Sequence, residues 1–430
     1  MSSEPVAVVG AGWAGLAAAV ALTERGRAVV VFDAAPQPGG RARTAPALGL
    51  EVDNGQHIAI GAYSAVLGLA ATLGIPADRV FKRLPLAFEQ RDARGVRLSL
   101  RAPAGSGRFG MAHAFVGAQG LTAGDKFSIL RGWQRLVRPP ATDVSVRDHL
   151  LAAGQPQRAI DLLWVPLCLA TLNTPPDIAS AQLFVRVLRE SLASSAPGAS
   201  DLLLPACDLG RALPRPAVEW LESRGVEVRL GERVAALVAD DRVHAVTTAQ
   251  GELAVSAVVS AVPPDACLRL VEPLSKLAAL AEDLRAFDTQ PICTVYLRYP
   301  EDTELDRPLL GLAGTTTQWL VDRRTCDQAG IIAAVISADG PHMALDNDAL
   351  IETVMDEIGR CVPTLPAPSE ARVIREKRAT FAATVGIEQR RPSARTALPG
   401  LVLAGDWTAT GLPATLEGAV RSGNAAAREL

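Results

Sequence analysis

Residues 6–15 read Val6-Ala-Val-Val-Gly10-Ala-Gly12-Trp-Ala14-Gly15, and this stretch decides the fold that the sequence predicts. The four apolar residues predict a short buried strand, and glycines at the spacing Gly-x-Gly-x-x-Gly open a helix through about Arg25. The next apolar run, Ala28 to Phe32, predicts a second strand, which completes a β-α-β unit. Such a unit is typical of a Rossmann-like dinucleotide-binding sheet.

Each glycine of this turn fits one part of a dinucleotide site. Gly10 permits the tight turn, Gly12 admits a pyrophosphate to the backbone, and Gly15 lets the helix pack against the strand. The helix begins around Ala14, where backbone amides and the positive end of the helix dipole attract phosphates. We therefore predict that the pyrophosphate lies over the start of this helix.

Two further features favour a flavin dinucleotide. Asp33, followed by Ala34, comes 18 residues after Gly15, close to the ~20 expected for a carboxylate that binds a ribose. Gly39-Gly40-Arg41 follows, and a glycine pair with an arginine can wrap amides and a guanidinium around a diphosphate. A second triplet, Gly105-x-Gly107-x-x-Gly110, follows Arg-Ala-Pro-Ala instead of a buried strand, so we predict a loop there.

Composition limits the classes of protein to which this chain can belong. Its 430 residues exceed what one hydrophobic core usually organises, so two domains are expected. A hydrophobic content of 49% with 21% charged residues excludes a disordered chain and leaves apolar surface to contact a hydrophobic ligand or a membrane. The net charge of −3 and the scattered cations argue against nucleic acid as a partner.

The cysteines and the start of the chain give expectations about compartment. Six cysteines without a Cys-x-x-Cys pair predict neither a metal site nor a redox pair and fit a reduced, cytoplasmic chain. The first residues lack the basic region of a secretory signal. No apolar run reaches the ~18 residues needed to span a bilayer, so we expect any membrane contact to be peripheral, from the cytoplasmic face.

The motifs described so far resemble those of the amine oxidase and phytoene desaturase superfamily of FAD proteins, over the whole chain. The resemblance extends to a C-terminal flavin segment with Gly405-Asp406 and Leu416-Glu417-Gly418-Ala419. It implies non-covalent FAD, with Gly405 and Asp406 near the ribityl phosphate and the helix at Leu416 pointing its amides at the flavin ring. It also implies that Val234 binds adenine through its backbone. Family members normally carry glutamate at the position of Asp33, so the ribose contact here is expected to be shorter or water-mediated.

Three longer stretches resemble a narrower group, the hydroxysqualene dehydroxylases of hopanoid biosynthesis. They are residues 53–63, residues 164–175 and the tail at residues 405–419. The first stretch adds Asn54, Gly55, Gln56 and His57 to the expected flavin contacts. The resemblance implies that reduced FAD removes an allylic hydroxyl from a C30 isoprenoid and yields squalene. It also implies that Trp164, Thr171 and Asn173 contact substrate, although a plain core helix is the common alternative at this spacing.

The expected chemistry requires a proton donor, because hydroxide is a poor leaving group. His57 is the candidate general acid, with Asp53 as its orienting partner. The alternative is a histidine that only binds flavin or backbone. A C30 hydrocarbon must leave a bilayer, so we expect an apolar entrance at residues 109–133 or 160–172. The reductant that reloads the flavin is not indicated by the sequence.

The predicted fold class is therefore α/β: a discontinuous Rossmann-like FAD-binding domain and an α+β substrate domain with a mainly antiparallel sheet and a helical insertion. Residues 1–85, 201–285 and 395–430 are assigned to the first domain, and residues 86–200 and 286–394 to the second. Rival functions are a carotenoid-type desaturase or saturase, a flavin amine oxidase, and a non-catalytic lipid escort.

Overall fold

A computed structural model describes residues 4–105 and 108–430. Gly107 of the second glycine triplet lies outside these residues, while Gly110 lies within a helix that begins at Arg108. The predicted α/β class is confirmed. The strands, in chain order, are β1 (Val6–Val9), β2 (Val29–Asp33), β3 (Thr44–Ala47), β4 (Leu50–Asp53), β5 (Ala59–Ile60), β6 (Phe81–Leu84), β7 (Ala87–Asp92), β8 (Gly95–Arg101), β9 (Leu202–Pro205), β10 (Glu227–Leu230), β11 (Ala236–Ala239), β12 (Val243–Thr248), β13 (Gly251–Ala254), β14 (Ala257–Ser260), β15 (Thr289–Arg298), β16 (Leu309–Leu312), β17 (Trp319–Asp322), β18 (Ile331–Ser337), β19 (Glu370–Phe381) and β20 (Leu401–Leu403).

The helices are named in the same way. They are α1 (Trp13–Glu24), α2 (Ser64–Thr72), α3 (Ala77–Val80), α4 (Arg108–Gly117), α5 (Ala123–Leu136), α6 (Val146–Ala152), α7 (Gln157–Ala159), α8 (Val165–Leu172), α9 (Ala181–Glu190), α10 (Leu209–Ala212), α11 (Pro214–Glu222), α12 (Pro264–Val271), α13 (Ala278–Arg285), α14 (Asn347–Cys361) and α15 (Leu416–Arg428). Within residues 4–105 and 108–430, no helix is both long and apolar enough to cross a bilayer.

A parallel sheet brings the two ends of the chain together. Its strand order is β10-β2-β1-β14-β20, and every neighbouring pair is parallel. Helix α15 packs directly against α1, where a Cβ on Gly423 would lie 2.1 Å from the Ala14 carbonyl oxygen. Only glycine permits this approach. The first β-α-β unit and the last helix therefore belong to one layered structure.

A second, larger sheet forms the other half of the molecule. Its strand order is β19-β15-β18-β17-β16-β7-β8, and the pairs are antiparallel except for β16 with β7. The mainly antiparallel character predicted for the substrate region is therefore observed. The strands of this sheet come from residues 87–101 and 289–381, and those of the parallel sheet come from the segments assigned to the FAD-binding domain. The domain borders themselves stay a prediction.

Three local features of the structure were not predicted from the sequence. Residues 87–101 form the hairpin β7-β8. Residues 160–172 begin as a π-helical turn, Ile160–Trp164, before α8. Strand β19 was not predicted, because its sequence Glu-Ala-Arg-Val-Ile-Arg-Glu-Lys-Arg-Ala-Thr-Phe is dominated by charged residues and reads as a surface segment.

Candidate functional site

A cavity of about 680 Å³ lies at the carboxyl ends of the parallel strands β1, β2 and β14. This is the edge at which open α/β sheets bind ligands, and the volume is within the usual range of ligand cavities. Most of the predicted cofactor residues line it: Gly10, Gly12, Ala14, Asp33, Ala34, Gly39, Gly40, Arg41, Asn54, Gly55, Gln56, His57, Val234, Gly405, Asp406, Leu416, Glu417 and Ala419. Gly15 and Gly418 are not part of the lining.

The glycines at the start of α1 have different roles. A Cβ on Gly15 would lie 1.8 Å from the Gly10 carbonyl oxygen, so Gly15 packs helix against strand. A Cβ on Gly12 would meet nothing closer than the Gly40 Cα at 3.9 Å, because Gly12 faces the cavity. Gly12 caps α1 without a side-chain hydrogen bond, which leaves amides of the first turn available. This end of the cavity fits a pyrophosphate.

Asp33 is fixed at the neighbouring corner of the cavity. One carboxylate oxygen accepts a hydrogen bond from the Ala11 amide at 2.6 Å, and the other accepts one from the Ala35 amide at 2.7 Å. Each carboxylate oxygen has two acceptor sites, so one on each oxygen remains for a ribose hydroxyl. Val234 lies in the same lining. The residues present therefore fit the adenosine half of FAD.

The two ends of the chain meet at an ion pair inside the cleft. The Arg41 guanidinium lies 2.5 Å from the Asp406 carboxylate and also donates to the Ala379 carbonyl oxygen. Gly39 donates its amide to the Ala11 carbonyl oxygen at 2.8 Å. The Gly-Gly-Arg segment, the first glycine turn and the C-terminal segment therefore form one continuous wall.

Helix α15 offers fewer free amides than expected. The Gly418 amide donates to the Thr415 hydroxyl, which caps the helix at 3.0 Å, so Gly418 does not offer this amide to a ligand. The Ala419 amide is also used, by the Thr415 carbonyl oxygen. The Glu417 carboxylate accepts from the amides of Ala65 and Val66 at the start of α2. Glu417 therefore positions α2, and the amides of Leu416 and Glu417 are those left for a flavin.

Asp53 is a structural residue and not the partner of His57, which corrects the predicted dyad. Its carboxylate accepts from the Leu209 amide at 2.7 Å and from Arg323 at 2.8 Å, and both charged side chains are fully buried. The same guanidinium donates to the Gln56 side-chain oxygen at 2.7 Å. Arg323 therefore holds both ends of the segment Asp53–Gln56 that precedes His57, and Asp53 lies outside the cavity lining.

His57 reaches the cavity as a neutral base. Its Nδ1 lies 2.8 Å from the Gly55 carbonyl oxygen, which can only accept, so Nδ1 carries the proton and Nε2 is the acceptor. Loss of water around the ring lowers the pKa of His57, and the nearby Asp53 charge offsets this lowering only in part. His57 can donate a proton from Nε2 only after that atom has been protonated.

The three predicted substrate residues have different environments. Trp164 is buried, donates its indole N–H to Gln155 at 2.9 Å and lies outside the cavity lining, which favours the alternative of a plain core helix at this residue. Thr171 lines the cavity. Asn173 also lines it, but its amide donates to the Pro291 carbonyl oxygen and its oxygen accepts from Ala338. Asn173 therefore ties the end of α8 to the large sheet.

Part of the wall was missed by the sequence prediction. Glu376, Ala379 and Thr380 on β19 line the cavity, and the Glu376 carboxylate accepts from the Asn54 side-chain amide at 2.8 Å. Charged and apolar residues alternate only over the first four residues of β19, so the part that lines the cavity carries no such signal. Beyond the glycines the lining becomes apolar, with Ile58, Ile60, Val187, Leu270, Ile292 and Leu412.

Known proteins resemble this chain over its full length. A hydroxysqualene dehydroxylase of Rhodopseudomonas palustris is 32% identical, and the match covers 99% of this chain and 98% of the relative. A probable zeta-carotene desaturase of Synechococcus elongatus is 23% identical over 99% of this chain and 98% of its own length. Among solved structures, an oxidoreductase from Methanosarcina mazei superimposes with a TM-score of 0.77 at 14% identity, covering 99% of this chain and 100% of the other.

The sequence profile of the flavin containing amine oxidoreductases matches residues 13–430. This match begins inside the first glycine turn, after Gly12, and includes the large sheet and the C-terminal flavin segment, so most of the cavity wall lies within one family pattern. The predicted FAD cofactor and oxidoreductase activity are confirmed. The chain is an FAD-dependent oxidoreductase and belongs to the flavin containing amine oxidoreductase family.

Proposed function

We propose that the protein reduces an allylic alcohol of the hydroxysqualene type to squalene. In this reaction the carbon–oxygen bond breaks, a carbon–hydrogen bond forms, and the oxygen leaves as water after gaining a proton. The allylic carbon is reduced by two electrons, and FAD is oxidised. Bound reduced FAD supplies the two electrons and the hydrogen that the carbon gains.

The composition of the cavity carries this proposal. Glycines and the Arg41–Asp406 pair form a polar end that fits the nucleotide. Aliphatic side chains such as Ile58, Val187 and Leu412 make up much of the other lining, which also includes polar residues such as Thr171 and Glu376. Aliphatic walls bind hydrocarbon by excluding water and provide few partners for a polar substrate. The 32% identity with a hydroxysqualene dehydroxylase selects a C30 isoprenoid alcohol among hydrocarbon substrates.

In this proposal Asp33, Gly12, Arg41 and Leu416 contribute to holding FAD, and His57 relays the proton. The Gly55 carbonyl fixes the His57 ring so that Nε2 is the atom able to take up a proton. Protonated Nε2 then donates to the departing hydroxyl oxygen. Removal of water from the cavity lowers the pKa of the ring, which makes its protonated form a stronger acid.

A carotenoid-type desaturation is the second candidate, because a relative with that name is 23% identical over nearly the whole chain. The two reactions move electrons in opposite directions with respect to FAD. A dehydroxylase requires reduced FAD and consumes a proton, whereas a desaturase requires oxidised FAD and an alkane-like carbon. The presence of an ionisable histidine in the lining favours dehydroxylation.

Anaerobic single-turnover experiments separate these candidates. FAD-loaded protein is photoreduced and mixed with hydroxysqualene, and in parallel the oxidised protein is mixed with phytoene. We expect squalene to form in proportion to flavin reoxidation in the first mixture and no reaction in the second. Flavin reduction by phytoene would instead support the desaturase. Protein that cannot be reconstituted with FAD would contradict both and favour a lipid escort.

We further propose that the protein works at the cytoplasmic face of a membrane as a peripheral protein. The support is chemical, because a C30 hydrocarbon is held by the bilayer and must enter the cavity from it. The helical segment at residues 160–172 cannot form the apolar entrance for the substrate by itself. Most of its large apolar side chains are buried in the core: Ile160, Leu163, Trp164, Cys168 and Leu172.

A further inference from the structure

The helices α4 and α5 present an unusual surface. The name α4–α5 face is used here for six exposed side chains on these helices and just after α5: Val116, Phe127, Leu130, Arg131, Arg135 and Arg138. Its apolar members include some of the most exposed large hydrophobic residues of the described chain, with Phe127 at 67% and Val116 at 59%. Single exposed apolar residues are ordinary, but three lie between residues 116 and 130. Lys126, next to Phe127, donates to the Val116 carbonyl oxygen at 2.8 Å, which brings the two helices together.

The charge of this region differs from that of the whole protein. Residues 110–138 contain Lys126, Arg131, Arg135 and Arg138 but only one acid, Asp125, in a chain of net charge −3. Asp125 is engaged in the capping box of α5 with Thr122. Among the described residues, none of the three arginines takes part in an ion pair. Their charges therefore remain for a partner.

Packed aromatic side chains lie between the α4–α5 face and the cavity wall. Phe115, on the buried side of α4, packs against Trp133 of α5 at a ring distance of 5.6 Å and against Trp164 at 6.1 Å. Trp164 ends the π-helical turn that leads into α8, and Thr171 of α8 lines the cavity. One layer of aromatic packing thus joins the surface helices to the segment that forms the cavity wall.

We infer that the α4–α5 face docks on a bilayer with anionic headgroups. Phe127 and Leu130 enter the interface, and the arginines contact lipid phosphates. A second copy of this chain is a poorer occupant, because a symmetric contact would place the same arginines opposite one another. On this surface the isoprenoid would pass from the bilayer to the protein, and in this respect the inference rests on the proposed function. Lipid binding itself can be measured without substrate.

Vesicle flotation of the full FAD-loaded chain tests the inference. Vesicles of phosphatidylcholine with and without phosphatidylglycerol are compared at increasing salt. We expect flotation that requires phosphatidylglycerol and weakens with salt, because ions screen the arginines. Replacing Arg131, Arg135 and Arg138 with glutamine should weaken partitioning about fivefold per arginine. The double variant Phe127→Ser/Leu130→Ser should weaken it about tenfold or more.

The matched control is Ile178→Ser/Val385→Ser, which removes two other exposed apolar side chains that lie next to each other. This control should float like the unchanged protein. Every variant should keep its flavin spectrum and melting temperature, since the replaced side chains are exposed. Equal flotation with neutral vesicles, or an equal loss in the control, would overturn the inference. So would a lipid-free dimer that the Phe127→Ser/Leu130→Ser variant converts to a monomer.

The outcomes also separate this inference from the proposed function. Squalene formation from detergent-dispersed hydroxysqualene should be unchanged in the surface variants, because detergent replaces the bilayer route. Flotation without squalene formation would leave the docking surface in place and contradict the proposed reaction. Squalene formation without flotation would support the proposed reaction and contradict the docking surface.

Discussion

The two ends of the cavity are built on different principles. The nucleotide end consists of backbone: glycines at Gly12 and Gly40, open amides of α1, and one carboxylate at Asp33 held by two further amides. The substrate end consists of side chains from α8, α9, β15 and β19 and from the loops that carry Ile58 and Leu412, which are distant in sequence. A backbone site is encoded by a short motif, whereas a side-chain site exists only after the sheets have formed.

The largest effect is expected where the two regions are joined. Arg323→Met should lower the free energy of unfolding by about 3–5 kcal/mol, because it leaves the Asp53 carboxylate buried and unpaired. Urea denaturation measures the change. The neighbouring Arg324→Met removes a partly exposed pair with Glu304 and should cost less than about 1 kcal/mol. Equal losses in the two variants would show that the buried pair does not join the regions.

The next largest effect concerns the proton that His57 donates where the nucleotide end of the cavity meets the substrate end. His57→Gln should slow dehydroxylation by about 100-fold. In the unchanged protein the rate should rise as the pH falls through a pKa lying below the ordinary value, since burial lowers the pKa of His57 and only the protonated ring donates. The variant should lose this dependence. A single-turnover pH profile measures both, and the exposed His244→Gln serves as control.

At the nucleotide end, Asp33→Asn should weaken FAD binding about tenfold or more, because a charged acceptor is replaced by a neutral amide. One of the amides of Ala11 and Ala35 would then face the new NH2 group. Fluorescence titration with FAD measures the affinity, with the exposed Asp302→Asn as a matched control. Substrate affinity of the FAD-saturated variant should stay unchanged. If substrate affinity fell with FAD affinity, the two ends would not be separable.

The smallest effect tests the assignment of Trp164 to the core. Trp164→Phe should lower the free energy of unfolding by about 1–2 kcal/mol, since it removes the hydrogen bond to Gln155 inside the core. The KM for hydroxysqualene should not change in this variant. Thr171→Val should raise that KM, because Thr171 is a side chain of the cavity wall. A raised KM in the Trp164 variant with an unaltered KM in the Thr171 variant would contradict this assignment.

The contrast also explains which features were predictable from the sequence. Strand β1, the start of α1 and Asp33 were predicted in place, because glycine spacing and strand length define them locally. The return of Asp406 to Arg41 was expected from family resemblance, and the 2.5 Å ion pair gives it a physical form. The sequence alone contains no local signal for that contact.

Predictions failed where tertiary contacts decide the outcome. Strand β19 reads as a charged surface segment, yet pairing with β15 makes it a cavity wall that carries Glu376. Asp53 precedes His57 by only four residues, but Arg323, which follows β17 of the large sheet, is its partner. Gly418 matched a motif, and the Thr415 cap removed its amide from use.

The central claim is that one FAD lies between the first glycine turn and the C-terminal segment. A crystal structure of the FAD-loaded protein tests it most directly. We expect density for a pyrophosphate over the start of α1, a ribose at Asp33 and a flavin ring reaching Leu416. Density for the flavin ring anywhere else, with Asp406 and Leu416 free of contact, would contradict it.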